Sequence, residues 1–180
     1  GFENGELQSP VGIAIYENNV YVVDEKQNTI QKFDNDGNFI FKWGGYGNEN
    51  GQFIKPRGIT IDSSGIVYVA DSKNHRIQTF TSDGEFLSSF GTFGFGDGKL
   101  KVPVDVAVYE DFIYVSDPGN YKIEKYTSDG IFLKSFDYNF GGSQVRPGGL
   151  IADPNGNIYF VDAVKYRVVK MTSDGKTITT

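Results

Sequence analysis

Four aspartates recur at a nearly constant spacing and are the first candidates for chemistry in this chain. Each ends a short strand-like run such as Val-Tyr-Val-Val-Asp, and they follow one another after 47, 46 and 45 residues: Asp24, Asp71, Asp117 and Asp162. Carboxylates are preferred ligands of Ca²⁺, so a ring of these side chains would suggest a cation site. A polar or basic residue follows each aspartate five positions later, as Thr29, Arg76, Lys122 and Arg167. We therefore expect each aspartate to accept hydrogen bonds from its own loop, in a structural role.

Metal catalysis finds little support in the remaining residue types. A catalytic zinc usually takes three protein ligands from His, Cys or carboxylates, and this chain has one His and no Cys. His75 stands four residues after Asp71, and the equivalent positions after the other aspartates are Asn28, Tyr121 and Tyr166. We therefore predict a structural role for His75. Asp105 is the only candidate for an axial metal ligand. We expect no catalytic residue, bound metal or cofactor.

These residues belong to a motif that is repeated four times. A second marker, a proline followed by a turn residue and an apolar run, begins at Pro10, Pro56, Pro103 and Pro147, with spacings of 46, 47 and 44 residues. Each repeat of about 46 residues contains four segments rich in β-branched and aromatic residues, separated by polar turns. An Asp-Gly pair between the third and fourth segments predicts a two-residue hairpin turn with positive backbone angles.

A unit of this size with four antiparallel strands is typical of one blade of a β-propeller, so we predict an all-β propeller of four blades. An antiparallel sandwich also uses short strands, but it does not explain why the repeats follow one another at a nearly constant spacing of about 46 residues. The segment from Asp71 to Phe80, followed by Asp83-Gly84 and Phe90-Gly91, resembles the NHL repeat, and the other three copies are looser versions of it. The resemblance implies a propeller, commonly six-bladed, that serves as a recognition platform. Some members bind RNA or protein, and some relatives are metal-dependent lyases or lactonases.

We expect one domain, 1–180, with blades at roughly 8–47, 54–94, 101–140 and 145–180. The first seven residues match the middles of the loops between blades, and 176–180 resembles a short fourth strand. Two explanations stay open. The chain is either a piece of a longer, six-bladed array or a four-bladed ring closed by side-chain packing, and a homo-oligomer could also complete the propeller.

Charge and composition narrow the kinds of partner. The net charge is −6 and the isoelectric point is about 4.8, which disfavours nucleic acid because phosphate binding needs concentrated Lys and Arg. No run of 18 apolar residues occurs, so we expect no membrane insertion. The absence of cysteine leaves the compartment undetermined, with a secreted or cell-surface location slightly favoured.

The distribution of charge over the propeller indicates where a partner would bind. The predicted hairpin turns carry an excess of acidic residues, whereas the loops that join the second to the third strand, and one blade to the next, carry a balanced mixture. We call the face with these mixed loops the loop face. Aromatic residues also fall in or beside the loops between blades: Trp43, Tyr46, Phe93, Phe95, Tyr138 and Phe140.

We predict a non-enzymatic recognition scaffold that binds a protein or peptide through the loop face. The site residues that we expect are Tyr46, Arg57, Phe95, Tyr121 and Arg146. The alternatives are a metal-dependent lyase or lactonase whose ligands come from further blades, and an RNA-binding domain. A purely architectural role in an extracellular assembly is a third hypothesis.

Overall fold

The computed structural model describes residues 3–137, 139–140 and 143–179, and in these ranges the chain forms strands and no helix. Blade 1 consists of β1 (Pro10–Tyr16), β2 (Asn19–Asp24), β3 (Thr29–Asp34) and β4 (Phe39–Gly44). Blade 2 consists of β5 (Pro56–Ile61), β6 (Val67–Asp71), β7 (Arg76–Phe80) and β8 (Phe86–Phe90). Blade 3 consists of β9 (Asp105–Tyr109), β10 (Phe112–Asp117), β11 (Lys122–Thr127) and β12 (Phe132–Asp137). After the short hairpin of β13 (Asn139–Phe140) and β14 (Ser143–Gln144), blade 4 consists of β15 (Pro147–Ala152), β16 (Ile158–Asp162), β17 (Arg167–Met171) and β18 (Thr177–Thr179).

Each blade is an antiparallel sheet whose four strands pair in chain order. The first strands, β1, β5, β9 and β15, lie innermost around a common axis, so the four sheets form a four-bladed β-propeller. The predicted fold class is confirmed. No helix in the described part of the chain is long and apolar enough to cross a membrane.

The hairpin between the third and fourth strands differs from the predicted two-residue turn. In blade 1 the Gly37 N–H donates to the carbonyl of Asp34, and the Asp34 N–H donates to the carbonyl of Asn38, so the loop has three residues. Gly37 has a φ of +84°, while Asp36 is not among the residues of positive φ. A type I turn followed by a left-handed glycine explains this geometry, since one positive φ is enough for a three-residue loop.

Acidic side chains stabilise this turn in blade 1 and the turn between the first and second strands of blade 4. Asp34 Oδ1 accepts hydrogen bonds from the backbone N–H groups of Asp36 and Asn38. Asp153 accepts in the same way from the N–H groups of Asn155 and Asn157. The acidic residues of these hairpin turns therefore have a structural use, because the carboxylates satisfy turn N–H groups that would otherwise need water.

Three apolar clusters form the core, one between each pair of consecutive blades. The first contains Tyr21 and Ile30 of blade 1 with Phe80 of blade 2, all fully buried. The second joins blades 2 and 3, and the third joins blades 3 and 4. Among the described residues, no cluster of this kind joins blade 4 to blade 1. The four blades are thus held together by three packed interfaces.

Glycine allows the innermost strands to approach closely. A Cβ atom on Gly12 would lie 2.2 Å from the backbone oxygen of Arg57, and one on Gly58 would lie 2.5 Å from the Cα atom of Asp105. Backbone atoms cannot move aside as a flexible side chain can. The inner strands of neighbouring blades therefore pack backbone against backbone at these two positions.

Candidate functional site

The first strands of the four blades line a central cavity of about 770 Å³. Its walls come from β1, β5, β9 and β15, and Arg57, Glu25 and Arg146 lie among its lining residues on the loop side. The Arg57 Nε donates to a Glu25 carboxylate oxygen at 3.0 Å, so blades 1 and 2 are joined by an ion pair beside the cavity. The structure therefore brings Arg57 and Arg146, two of the predicted site residues, to one cavity.

Asp105 lies in the wall of this cavity and its carboxylate is engaged by backbone groups. Oδ2 accepts from the Leu150 N–H at 2.7 Å, and Oδ1 accepts from the Val106 N–H at 2.9 Å. Burial raises the pKa of Asp105 to about 6, although these two hydrogen bonds act in the opposite direction. The carboxylate thus ties blade 3 to blade 4. Within the described part of the chain, no group of three or more His, Asp or Glu residues is placed to hold a metal ion.

The four recurrent aspartates are fully buried and engaged in hydrogen bonds within the protein. Asp24 accepts from the N–H groups of Lys26 and Gln27 in its own loop, and from those of Gln8 and Ser9 in the loop before the blade. Burial raises the pKa of Asp24, but these N–H donors outweigh it and the net shift is downward. The predicted hydrogen bonds to the aspartate's own loop are confirmed.

The side chains five residues after the aspartates behave differently from blade to blade. Arg76 Nε donates to Asp71 at 2.9 Å, and Arg167 Nε donates to Asp162 at 3.2 Å. In blade 3, Lys122 lies near Asp97 and Asp137 instead. The direct pairing of aspartate with the residue five positions later is therefore a property of blades 2 and 4.

An exposed aromatic patch lies on the loop face between blades 2 and 3. Phe93 and Phe95, in the loop between β8 and β9, are 58% and 66% exposed, and their ring centroids are 5.8 Å apart. The His75 ring lies 4.8 Å from Phe93, and the Lys101 ammonium lies 4.8 Å above Phe95. We call these four residues the aromatic patch. Its two phenylalanines project from a loop, where large apolar side chains are available to a partner.

The backbone of the aromatic patch is fixed by hydrogen bonds. His75 Nδ1 lies 2.5 Å from the Lys101 carbonyl oxygen, which ties the loop after β6 to the loop before β9. The Lys101 N–H donates to the buried Asp117 carboxylate. The aromatic side chains thus stand on loops whose ends are anchored, so binding would require little additional ordering of the backbone.

The other predicted site residues do not join this patch. Tyr46 is 75% exposed and lines a separate depression of about 390 Å³ together with Glu25 and Lys55. Tyr121 is 41% exposed and lies in the loop between β10 and β11 of blade 3. Trp43 packs against Tyr21 and contributes to the core. Tyr138 and the side chain of Phe140 lie outside the described residues.

Of the four patch residues, only Phe95 was a predicted site residue. Phe93 was expected only to lie in a loop between blades, Lys101 was not assigned to the site, and His75 was given another role. It was predicted to be structural because it shares its slot with Asn28, Tyr121 and Tyr166, and all four have φ between 54° and 60°. This shared left-handed conformation agrees with the predicted structural role. The contact of its ring with Phe93 depends on a loop that begins 16 residues later, and the repeat pattern contains no signal for it.

The repeat position shared by His75 and Tyr166 has a positive φ, and it allows a direct test of backbone strain. Tyr166 has a φ of +54° and its side chain is 94% exposed, so the ring contributes little packing. We expect Tyr166→Gly to raise the free energy of unfolding by about 0.5–1 kcal/mol, because glycine has no Cβ to clash in this conformation. Urea unfolding measures the change. Tyr166→Ala is the matched control: it removes the ring but keeps the Cβ, and an equal gain in that variant would refute the argument.

The fold defines the class of this protein as a four-bladed β-propeller, and its loop face carries the exposed aromatic patch. The sequence model of the NHL repeat matches residues 53–80, which run from the end of the inter-blade loop to the end of β7. The chain thus carries an NHL repeat, and the predicted resemblance to NHL-repeat propellers is confirmed. No curated protein matches the chain in sequence.

Solved structures with the same fold are distant in sequence. The chain resembles a chain in the crystal structure of a nidogen/laminin complex with a TM-score of 0.75 and 20% identity, over 97% of this chain and 64% of that one. It resembles a streptogramin B lyase with a TM-score of 0.74 and 17% identity, over 97% and 56%. A third similar structure is virginiamycin B lyase from Staphylococcus aureus, with a TM-score of 0.60, 18% identity and coverage of 94% and 68%. The chain therefore spans less than two thirds of the first two structures, and at these identities the likeness concerns the fold alone.

Proposed function

We propose that this propeller is a non-enzymatic recognition domain that binds a protein or peptide through its loop face. The observation that carries this proposal is the aromatic patch, in which two phenylalanines are more than half exposed beside a histidine and a lysine. Aromatic side chains surrounded by polar groups are typical of the centres of protein interfaces.

The charges near the patch favour a ligand with an acidic group. Lys101 belongs to the patch, and Arg57 and Arg146 line the central cavity on the same face. A peptide that places an apolar side chain on Phe95 and a carboxylate near these cations would satisfy both features. The loop-face residues Arg57, Phe95 and Arg146 are the ones that we expect to contribute most. Tyr46 and Tyr121 stay proposals for the margin of the surface.

Selection of peptides on the immobilised chain tests the proposal. A library of random linear peptides is displayed on phage and selected on the folded protein, and the enriched peptides are synthesised and titrated. We expect a consensus with an apolar and an acidic position. Phe95→Ala should weaken the binding on the order of tenfold or more, as hot-spot aromatics do.

The control for this experiment is Leu87→Ala on β8. Leu87 is 48% exposed but lies outside the aromatic patch, so its truncation should leave the affinity unchanged. The absence of a consensus would contradict the proposal. So would a consensus peptide that binds the Phe95→Ala chain as tightly as the unmodified one.

A further inference from the structure

In blades 2 to 4, one side of each sheet packs against the blade before it. In blade 1, the first strand exposes its residues on this same side. We call this side of a blade, turned toward the blade before it, the leading face. In the first strands, its central position is Ile59 in blade 2, Val106 in blade 3 and Leu150 in blade 4, and these residues are 6%, 2% and 8% exposed. The same position in blade 1 is Ile13, which is 66% exposed. Its neighbour on this face, Ile15, is 70% exposed.

Blade 4 exposes the opposite side, which we call the trailing face because it is turned toward the following blade in blades 1 to 3. On the third strand its central position is Ile30, Ile77 and Ile123 in those blades, and all three are fully buried. The equivalent residue of blade 4, Val168, is 57% exposed. It lies beside Val161 and close to Ile151, which are 43% and 65% exposed.

Both exposed faces have kept the residue types of a packed interface. Ile13 and Val168 are apolar like their buried counterparts, and their exposed neighbours Ile15, Ile151 and Val161 are apolar too. Solvent-facing strand positions are normally polar, so two apolar faces at opposite ends of the blade series indicate surfaces built to be covered. The trailing face of blade 4 therefore resembles the trailing faces of blades 1 to 3. Each of those faces packs against the leading face of the next blade.

A polar contact recurs in two of those interfaces, and the corresponding groups are present at the two ends of the blade series. Lys32 Nζ of blade 1 donates to the Ser82 carbonyl at 3.1 Å and lies 3.3 Å from the Asp83 carboxylate, both in a turn of blade 2. Lys125 of blade 3 donates to the Ser173 carbonyl of blade 4 at 3.2 Å. Each lysine also stands 5.3 Å from the ring of a tyrosine on its own blade.

Blade 4 presents the same lysine, and blade 1 presents the same turn. Lys170 occupies the position of Lys32 and Lys125 and stands 5.2 Å from the ring of Tyr159. The turn of blade 1 that corresponds to Ser82-Asp83 is Asn35-Asp36, and both of its residues are exposed. The donor of this contact therefore lies at one end of the blade series and the acceptor at the other.

We propose that a second copy of this chain covers these surfaces head to tail, with the trailing face of blade 4 packed on the leading face of blade 1 of the partner. Val168 and Ile151 then contact Ile13 and Ile15, and Lys170 reaches the Asn35 carbonyl and the Asp36 carboxylate. We infer a second copy because three interfaces between a trailing face and a leading face already join the blades inside the chain. Such a contact is heterologous, so repetition of it gives a closed ring or an open assembly according to the angle between copies.

The proposed contact would also complete the central cavity. Its lining includes Ile13 and Ile15 of β1 and Ile151 of β15, although the first strands of blades 1 and 4 do not pack on each other as the other consecutive first strands do. A partner copy would replace solvent at this side of the cavity wall. This inference is independent of peptide binding, because the aromatic patch lies between blades 2 and 3.

Cross-linking between two single-cysteine chains tests the proposal, and the absence of native cysteine makes the labelling specific. Chains carrying Asp36→Cys and Lys170→Cys are mixed in equal amounts and treated with a short bis-maleimide, and the products are separated by mass. We expect the mixed dimer in large excess over both like-with-like dimers. A statistical mixture of the three dimers, or no dimer, would overturn the proposal.

Sedimentation of the unmodified chain gives the second readout. We expect mass to increase with protein concentration, and we expect Val168→Asp to shift the chain to monomer because a charge would be buried in the contact. Leu87→Asp, on an exposed strand position outside both faces, should associate like the unmodified chain. A chain that is monomeric at every concentration, with its end faces closed on each other or left in water, would exclude the second copy as the occupant.

Discussion

Asp71→Ala is expected to lower the free energy of unfolding by about 3–5 kcal/mol, since removal of one partner leaves a buried charge uncompensated. The Asp71 side chain is fully buried, and its ion-pair partner Arg76 is only 13% exposed. The carboxylate also accepts from the Ile54 N–H, from Asn74 Nδ2 and from Gln78 Nε2. Alanine would remove the carboxylate that these donors and Arg76 Nε share, and among the described residues the guanidinium would keep only the carbonyls of Glu49 and Gln52.

Equilibrium unfolding in urea measures this loss. Asp162→Ala is the comparison within the repeat, and it should cost less because Asp162 binds two loop N–H groups and an arginine that is 25% exposed. Asp129→Ala, at an exposed turn position, should change stability by less than about 0.5 kcal/mol. Equal losses in the Asp71 and Asp129 variants would show that the buried carboxylate does not hold the blade together.

The second large effect is expected from Glu124→Gln, which should stabilise the protein at neutral and alkaline pH. Glu124 lies on β11, fully buried, where blades 1 and 2 have Gln31 and Gln78. Its Oε2 accepts from Ser135 Oγ, but Oε1 is buried without a hydrogen-bond partner in the described structure. The two glutamines use their amide nitrogens at this point to donate to loop carbonyls, those of Glu6 and Gln52.

Burial raises the pKa of Glu124 to about 7 from its ordinary value of 4.5, although the Ser135 hydrogen bond and the charge of Lys122 oppose this shift. The folded state therefore holds this proton more tightly than the unfolded state. The stabilising contribution is complete below pH 4.5 and is lost as the pH rises toward 7, which corresponds to about 3 kcal/mol. Glutamine carries no charge at any of these pH values and avoids the loss.

Urea unfolding of both chains at pH 4 and pH 8 provides the measurement. We expect near-equal stabilities at pH 4 and an advantage of about 3 kcal/mol for Glu124→Gln at pH 8. The raised pKa of Asp105 affects both chains equally, so it cancels in the difference. Glu85→Gln, at an exposed turn position, should show no such advantage. An advantage that is the same at both pH values would contradict the assignment to Glu124 ionisation.

Most of the fold could be predicted from the repeat. The spacing of Pro10, Pro56, Pro103 and Pro147, together with the four aspartates, requires four similar units, and four strand-like segments per unit are compatible with few architectures. The turn after the third strand was predicted incorrectly, because an Asp-Gly pair is compatible with both a two-residue and a three-residue hairpin. Local sequence does not distinguish them, since the choice depends on how the flanking strands pair.

The candidate site was predicted only in part. Phe95 and Arg57 were recognised as loop residues suited to binding, and both are exposed on the loop face. The patch forms because Phe95 contacts Phe93 and Lys101, and because His75 from another loop contacts Phe93. Such contacts depend on how two blades pack, and the residue types alone do not reveal them.

The sequence by itself determined which residues share a face of each blade, because strand alternation and the repeat length set that pattern. Only the tertiary structure decided what covers each face. Ile13 and Ile59 are the same residue type at the same repeat position, yet one is 66% exposed and the other 6%. The difference arises because burial depends on the neighbouring blade, and Ile59 has blade 1 in front of it while Ile13 faces water.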